Sequence, residues 1–234
     1  MIPYRNTDYR FERKFLIDSL DVNQVIRLLN VHPSFFVERY PARYVNNIYF
    51  DTANLLSYND NLEGVFERFK IRLRWYGDLW NPDKSPKIEV KRKKGLAGFK
   101  DSFDVPLKLS GECPTNIKLK SAIGEANIPK TLIDKLHNFS PSLINRYNRR
   151  YFVSHDKRFR VTVDKDLEFY AGNSFLSPFM QESVKLNKVI VELKLHSTEI
   201  SNGSEISSIF PFRMTKSSKY VLGLSKLMQS TMIL

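Results

Sequence analysis

The chain has 234 residues with 37 Lys or Arg against 25 Asp or Glu, a formal net charge of +12, and 17 Phe, 11 Tyr and 2 Trp, ample for the core of one large domain over residues 1–234. Its one cysteine, Cys113, excludes an internal disulfide framework and a cysteine-rich zinc site, and its four scattered histidines show no ligand spacing. No run approaches the roughly 18 apolar residues of a membrane helix and Met1 to Arg10 has no signal-peptide core, so a soluble, cytoplasmic chain with polyanionic partners is expected.

Tyr9 to Ile17 is predicted as the first strand. Asp21 and Gln24 then form a capping box, and Val22, Val25, Ile26 and Leu29 have helical spacing up to about Asn30, before His32-Pro33. Tyr44 to Asp51 reads as a second strand and Asn54 to Asp60 as a turn or short helix. A strand over Phe66 to Tyr76 stops at Gly77-Asp78; Lys87 to Lys94 is the next, and Gly95 to Gly98 turns the chain into Phe99 to Val105 as a hairpin. Residues 106–128 carry little pattern and read as a connection, whereas Pro129 to Asn138 and Pro141 to Tyr147 predict short helices. Phe152-Val153, Phe159 to Asp164 and Leu167 to Tyr170 predict strands, the last two joined by a tight turn near Lys165. Ala171 to Asn187 reads mostly as surface loop and Lys188 to His196 as the last long strand. A Ser/Asn/Gly loop follows, and Ser218 to Met228 closes the chain as a helix. This order predicts an α+β fold on a mostly antiparallel, barrel-like sheet.

Three Glu-x-Lys pairs, Glu12/Lys14, Glu89/Lys91 and Glu192/Lys194, fall inside predicted strands. With 12 Glu and 21 Lys, about one such pair is expected by chance. Residues two apart on a strand share a face, so each pair sets a carboxylate beside an ammonium. Arg68, Lys70, Arg72 and Arg74 alternate with Phe69, Ile71, Leu73 and Trp75 in the same manner. Cations about 7 Å apart on one strand face repel by only about 0.6 kcal/mol in water but by about 2.4 kcal/mol at an effective dielectric near 20. Such a row is cheap on a solvated face, and in an enclosed channel it needs anions or carboxylates among it. The apolar parity needs cover, so helices are expected to pack outside the sheet.

In chain order, Glu12-Arg-Lys14, Ile48-Tyr-Phe-Asp51, Arg72-Leu-Arg-Trp-Tyr-Gly77, Glu89-Val-Lys91, Tyr147-Asn-Arg149, Arg160-Val-Thr-Val-Asp164, Glu192-Leu-Lys194 and Lys216-Ser-Ser-Lys219-Tyr220 span nearly the whole sequence. This ordered set resembles the VTC domain, the catalytic domain of vacuolar transporter chaperone polyphosphate polymerases, within the triphosphate tunnel metalloenzyme (CYTH-like) superfamily. The resemblance implies an antiparallel eight-stranded β-barrel tunnel that binds triphosphate or polyphosphate. It implies phosphate binding by Lys14, Arg72, Arg74, Lys91, Arg149, Arg160, Lys216 and Lys219, with Tyr147 and Ser218 hydrogen-bonding; Lys70 and Lys194 are added on strand parity. Arg72, Arg74, Arg149, Arg160 and Lys219 would carry catalysis. Glu192 matches the family's metal-binding glutamate, and Glu12 and Glu89 could assist with Mn²⁺ or Mg²⁺. The family also has an arginine where gapless counting puts Asn61; Arg68 or Lys70 are the candidates to replace it.

The implied activity is a kinase-type transfer of the ATP γ-phosphate to a growing polyphosphate chain. Its alternatives are triphosphate or nucleoside triphosphate hydrolysis in the same fold, or a non-catalytic polyphosphate-binding module. A nucleic-acid-binding module is the rival outside the family, and the glutamates sharing faces with the cations speak against it. Whether a separate membrane partner exists stays open.

Overall fold

A computed structural model describes residues 10–18, 20–95, 97–172, 183–216 and 218–231. In chain order the elements are β1 (Arg10–Ile17), α1 (Val22–Asn30), β2 (Val37–Asp51), α2 (Leu56–Glu63), β3 (Glu67–Tyr76), β4 (Lys87–Lys94) and β5 (Ala97–Asp104). There follow α3 (Asn116–Glu125), α4 (Lys130–His137), β6 (Ser140–Val153), β7 (Arg160–Ala171), β8 (Val184–Leu186), β9 (Val189–His196), α5 (Ile200–Ile209) and α6 (Lys219–Thr231). None of the described helices is long and apolar enough to cross a membrane.

The strands form one antiparallel sheet in the order β6-β2-β3-β4-β5-β1-β9-β7-β8, and β6 also pairs with β7. Among the described residues β5 and β1 share one residue pair, Arg10 with Gly98, so the described sheet is not closed along that seam. The α+β expectation and the large antiparallel sheet therefore hold, while the closed eight-stranded barrel does not follow from the pairing; nine strands are described.

Parity organises the packing. On β3, Ile71, Leu73 and Trp75 are at most 1% exposed and pack with Leu119 and Ile123 of α3 and Leu132 and Leu136 of α4. On the β1–β9–β7 side, Phe15, Val191, Leu193, Val161 and Val163 are covered by Val25 and Leu29 of α1 and by Phe210 after α5. The α1 start is the anticipated capping box: Asp21 Oδ1 accepts from the Asn23 and Gln24 amides, and Gln24 Oε1 accepts from the Asp21 amide.

Helix α6 departs from the expectation of helices packed outside. Its Tyr220 and Leu224 pack with Leu16, Tyr49, Leu143, Tyr147 and Ile190, which share parity with the charged residues of β1, β2, β6 and β9. The helix therefore fills part of the concave face. Gly223 permits the approach, because a Cβ there would lie 2.4 Å from Phe169 Cδ1 and 2.8 Å from Leu143 Cδ2.

Other differences have local causes. Pro141 to Tyr147 is not a helix but the start of β6, with Pro141 opposite Phe50 at a register shift, where a proline is tolerated. β7 runs unbroken through Lys165, the predicted turn being a bulge with Asp166 at φ 53°. Residues 106–128 contain α3, capped by Thr115 Oγ1 on the Lys118 amide, and the Ser/Asn/Gly segment contains α5. Of the predicted Ala171 to Asn187 loop, residues 173–182 lie outside the described residues, as do Tyr9 of the first strand and Leu96 of the hairpin turn.

Candidate functional site

The charged parity encloses a cavity of about 240 Å³ lined by residues of β1, β2, β3, β4, β5, β6 and β9 and the start of α6. Ten lysines and arginines line it against two glutamates, Glu12 and Glu192, so an empty cavity holds an excess of positive charge. Lys14, Lys70, Arg72, Arg74, Lys91, Tyr147, Arg149, Lys194, Ser218 and Lys219 of the sequence-predicted set all line it.

Three carboxylates distribute the cations. Glu89, 4% exposed, accepts from Arg72 Nε and Nη2 at 2.9 and 2.7 Å and from Lys100 Nζ at 2.9 Å, and Arg74 lies 3.6 Å away. Burial opposes its charge, yet Arg74, Arg72 and Lys100 hold it well below the usual carboxylate range. Glu89 thus anchors guanidinium groups, and among the described residues its oxygens are committed to them rather than aimed at a metal. Glu12 accepts from Lys91 Nζ with both oxygens at 2.7 Å. Glu192 lies within 3.2–3.6 Å of Lys219, Lys194, Arg149 and Lys14. Both are ionised against the cost of burial, Glu12 by Lys91 and Lys14 and Glu192 by Lys219, Lys14, Lys194 and Arg149.

Glu12 and Glu192 sit on adjacent strands, two residue pairs apart in the register, and Lys14 Nζ bridges them at 3.6 Å to each. No group of three or more His, Cys, Asp or Glu side chains with metal-holding geometry occurs among the described residues. Two carboxylates beside a cation-lined space nonetheless fit Mg²⁺ or Mn²⁺, which commonly take one or two protein carboxylates and fill the remaining positions with phosphate and water.

Deeper in the wall, Asp164 is fully buried and holds two predicted groups at once. Its oxygens accept from Arg149 Nε at 2.5 Å, Arg149 Nη2 at 2.6 Å and Lys219 Nζ at 2.5 Å. Lys219 is raised above the usual lysine range, Asp164 and Glu192 outweighing burial. Lys14 is raised likewise by Glu192 and Glu12. Lys70 differs: burial, then repulsion from Lys14, Lys91, Lys93 and Arg72, pushes it well below that range. Burial also brings Lys194 down to about 8, and burial with Lys91 and Lys14 brings Lys93 down to about 8. These three lysines are the least satisfied cations of the wall.

Polar side chains set the guanidinium planes. Arg74 Nε donates to Asn47 Oδ1 at 2.8 Å and its Nη2 to Tyr147 Oη at 3.1 Å, while Asn145 accepts from Asn47. Arg72 Nη1 donates to Tyr49 Oη at 3.2 Å. Lys70 Nζ donates to Ser218 Oγ at 2.7 Å, tying β3 to the residue before α6. Lys70, rather than Arg68, therefore meets the cavity; Arg68 Nη1 binds the Val65 carbonyl, and Asn61 binds the Ser57 carbonyl.

Two predicted phosphate binders are not brought in. Arg160 is exposed at the first residue of β7, beyond Thr162 and Asp164 of the same parity, and Lys216 is exposed in the segment before α6. The sequence reading missed Tyr49, Lys93, Lys100, Phe99 and Gly98 of the lining, together with Asp164, Asn47 and Asn145 behind it. Lys93 was recoverable, since it continues the Glu89/Lys91 parity, and Lys100 sits directly opposite Lys91 in the β4–β5 hairpin. Asp164 ends the Arg160-Val-Thr-Val-Asp164 stretch, but its role was hidden because its partner Arg149 lies on another strand.

Solved structures with the same fold include the PH1819 protein of Pyrococcus horikoshii OT3, at 15% identity and a TM-score of 0.51 over 93% of this chain and 99% of that one. A candidate adenylate cyclase of Vibrio parahaemolyticus matches at 11% identity and a TM-score of 0.50 over 91% and 97%. At these identities the likeness is one of fold. No curated protein sequence matches the chain. The sequence does match the VTC domain over residues 9–228, a span that takes in every cavity-lining strand and most of α6, and the chain belongs to the VTC domain family.

Proposed function

We propose that the chain is a polyphosphate polymerase that transfers the γ-phosphate of ATP to the end of an inorganic polyphosphate chain, in a basic tunnel formed by the concave face of the sheet. The observation that carries this reading is the convergence of ten cations from six strands and α6 on one cavity with Glu12 and Glu192 set among them. Membership of the VTC domain family supports it. A nucleic-acid groove would gain nothing from two ionised glutamates pointed at its phosphates.

Phosphoryl transfer asks mainly for an aligned phosphate chain and neutralised transition-state charge. Arg72, Arg74 and Arg149 present planar guanidinium groups fixed by Glu89, Asn47, Tyr147 and Asp164, suited to bidentate contact with phosphate oxygens. Lys14, Lys91 and Lys219 supply compact charges that follow the chain. Fixing two phosphate ends in this array supplies the proximity, and the acceptor, already an anionic oxygen, needs no strong base. Glu12 and Glu192 would hold Mn²⁺ or Mg²⁺, which when bound neutralises the β- and γ-phosphate oxygens.

The test is to supply ATP labelled at the γ-phosphate with Mn²⁺ or Mg²⁺. Label in chains longer than triphosphate is expected; free phosphate alone makes the protein a triphosphatase, and neither product ends the catalytic reading. Glu192→Gln should abolish turnover while leaving polyphosphate bound, and equal loss of both would contradict the metal role.

A further inference from the structure

The cation-lined cavity, about 240 Å³, is smaller than the roughly 300–1,000 Å³ that enclose a drug-sized ligand. A nucleoside attached to phosphates held there would have to project beyond the lining. One strand step past Arg74 and Arg149, on the same parity, the wall continues as Tyr76, Arg43 and Tyr151. Arg43 is directly opposite Arg149, Tyr76 opposite Val45, and Tyr151 opposite Thr162.

These side chains form a stacked collar. The Arg43 guanidinium carbon lies 4.1 Å from the Tyr76 ring centroid and 4.9 Å from that of Tyr151, and Arg43 Nε donates to Tyr151 Oη at 3.1 Å. Tyr40, 55% exposed, meets Tyr151 edge-on with centroids 6.1 Å apart. Among the described residues, Arg43 is held by rings and not by a carboxylate, unlike Arg72 and Arg149 of the cavity. Its charge is therefore not neutralised, and it is exposed.

Aromatic rings and arginine planes are the surfaces on which nucleobases stack. The two-residue step from the collar to the cavity arginines is about 7 Å, enough for the sugar between a base and its phosphates. We propose that Tyr40, Arg43, Tyr76 and Tyr151 form the nucleobase subsite for a nucleoside triphosphate whose phosphates run inward to Arg149 and Arg74. The subsite rests on the phosphate-binding reading of the cavity. It adds a reason for the chain to distinguish ATP from inorganic triphosphate.

Calorimetric titration of the whole chain with a β,γ-imido ATP analogue and, separately, with inorganic triphosphate tests it. Tyr40→Ala and Tyr151→Ala should each weaken the analogue on the order of tenfold while leaving triphosphate within about twofold, and Tyr151→Phe should retain the analogue. Triphosphate affinity in each variant doubles as the check on folding. Equal losses for both ligands, or no loss for the analogue, overturn the subsite alone. A wild-type chain that binds neither ligand overturns the phosphate reading and the subsite with it.

Discussion

Asp164 meets no solvent, yet two of the cavity's cations are aimed by it. Removing a buried ion partner leaves charge unneutralised, which costs about 3 kcal/mol or more. Asp164→Asn should lower unfolding stability by about that amount in a denaturant titration and weaken triphosphate binding through Arg149 and Lys219. Lys93 and Lys194, brought down to about 8, respond differently. A bound polyanion favours their charged forms, so binding near pH 8 should take up protons. Triphosphate affinity should therefore fall as pH rises from about 7 to about 9, measurable by calorimetry in buffers of different ionisation enthalpy. At this scale the Glu-x-Lys parity was legible, because same-face placement follows from strand geometry alone. The partners were not: Glu12 meets Lys91 and Glu192 meets Lys219 across sequence gaps that only strand order closes.

Helix α6 delivers Lys219 to the cavity and is itself held from both sides. Tyr220 stacks on Tyr49 with centroids 4.9 Å apart and donates to Asp51 Oδ2 at 2.5 Å. The same Asp51 accepts from the Ser57 and Tyr58 amides at the start of α2. Alanine at Gly223 would gain up to about 1 kcal/mol of helix propensity. A Cβ 2.4 Å from the buried Phe169 ring costs more, about 1–3 kcal/mol, because neither ring nor sheet can give way. Gly223→Ala should therefore lower the melting temperature and, by displacing Lys219, the triphosphate affinity. The closing helix was legible from its pattern, but not the face of the sheet it packs against. α5 was hidden because its glycine, Gly203, reads as a loop signal; a Cβ there would lie 2.8 Å from Leu195 Cδ1, so the residue serves close packing on β9. β6 was misread because pairing with β2 and β7 overrides the local look of Pro141 to Tyr147.

Over the whole molecule, the excess positive charge makes the empty state self-repelling. Lys70, Lys93 and Lys194 have folded-state values below the ordinary lysine 10.5, so between about 8 and 10.5 the unfolded chain binds more protons. Their contribution makes stability rise with pH across that window, opposite in sign to the phosphate affinity. Thermal unfolding with and without triphosphate should show the ligand's stabilisation shrinking as the unliganded protein gains. The α+β class and the charged face followed from residue order, whereas the one ladder pair between β5 and β1 among the described residues could not, since their register is a tertiary outcome.

That Arg10–Gly98 pair, the one ladder pair between β1 and β5 among the described residues, has a kinetic corollary. Among the described residues, backbone amides of β5 turned toward β1 have few ladder partners, so deuterium should enter there well before it enters β2 or β6, each flanked on both sides. Because Phe99 and Lys100 belong to this strip, a captured phosphate chain should slow the labelling of β5 most of all.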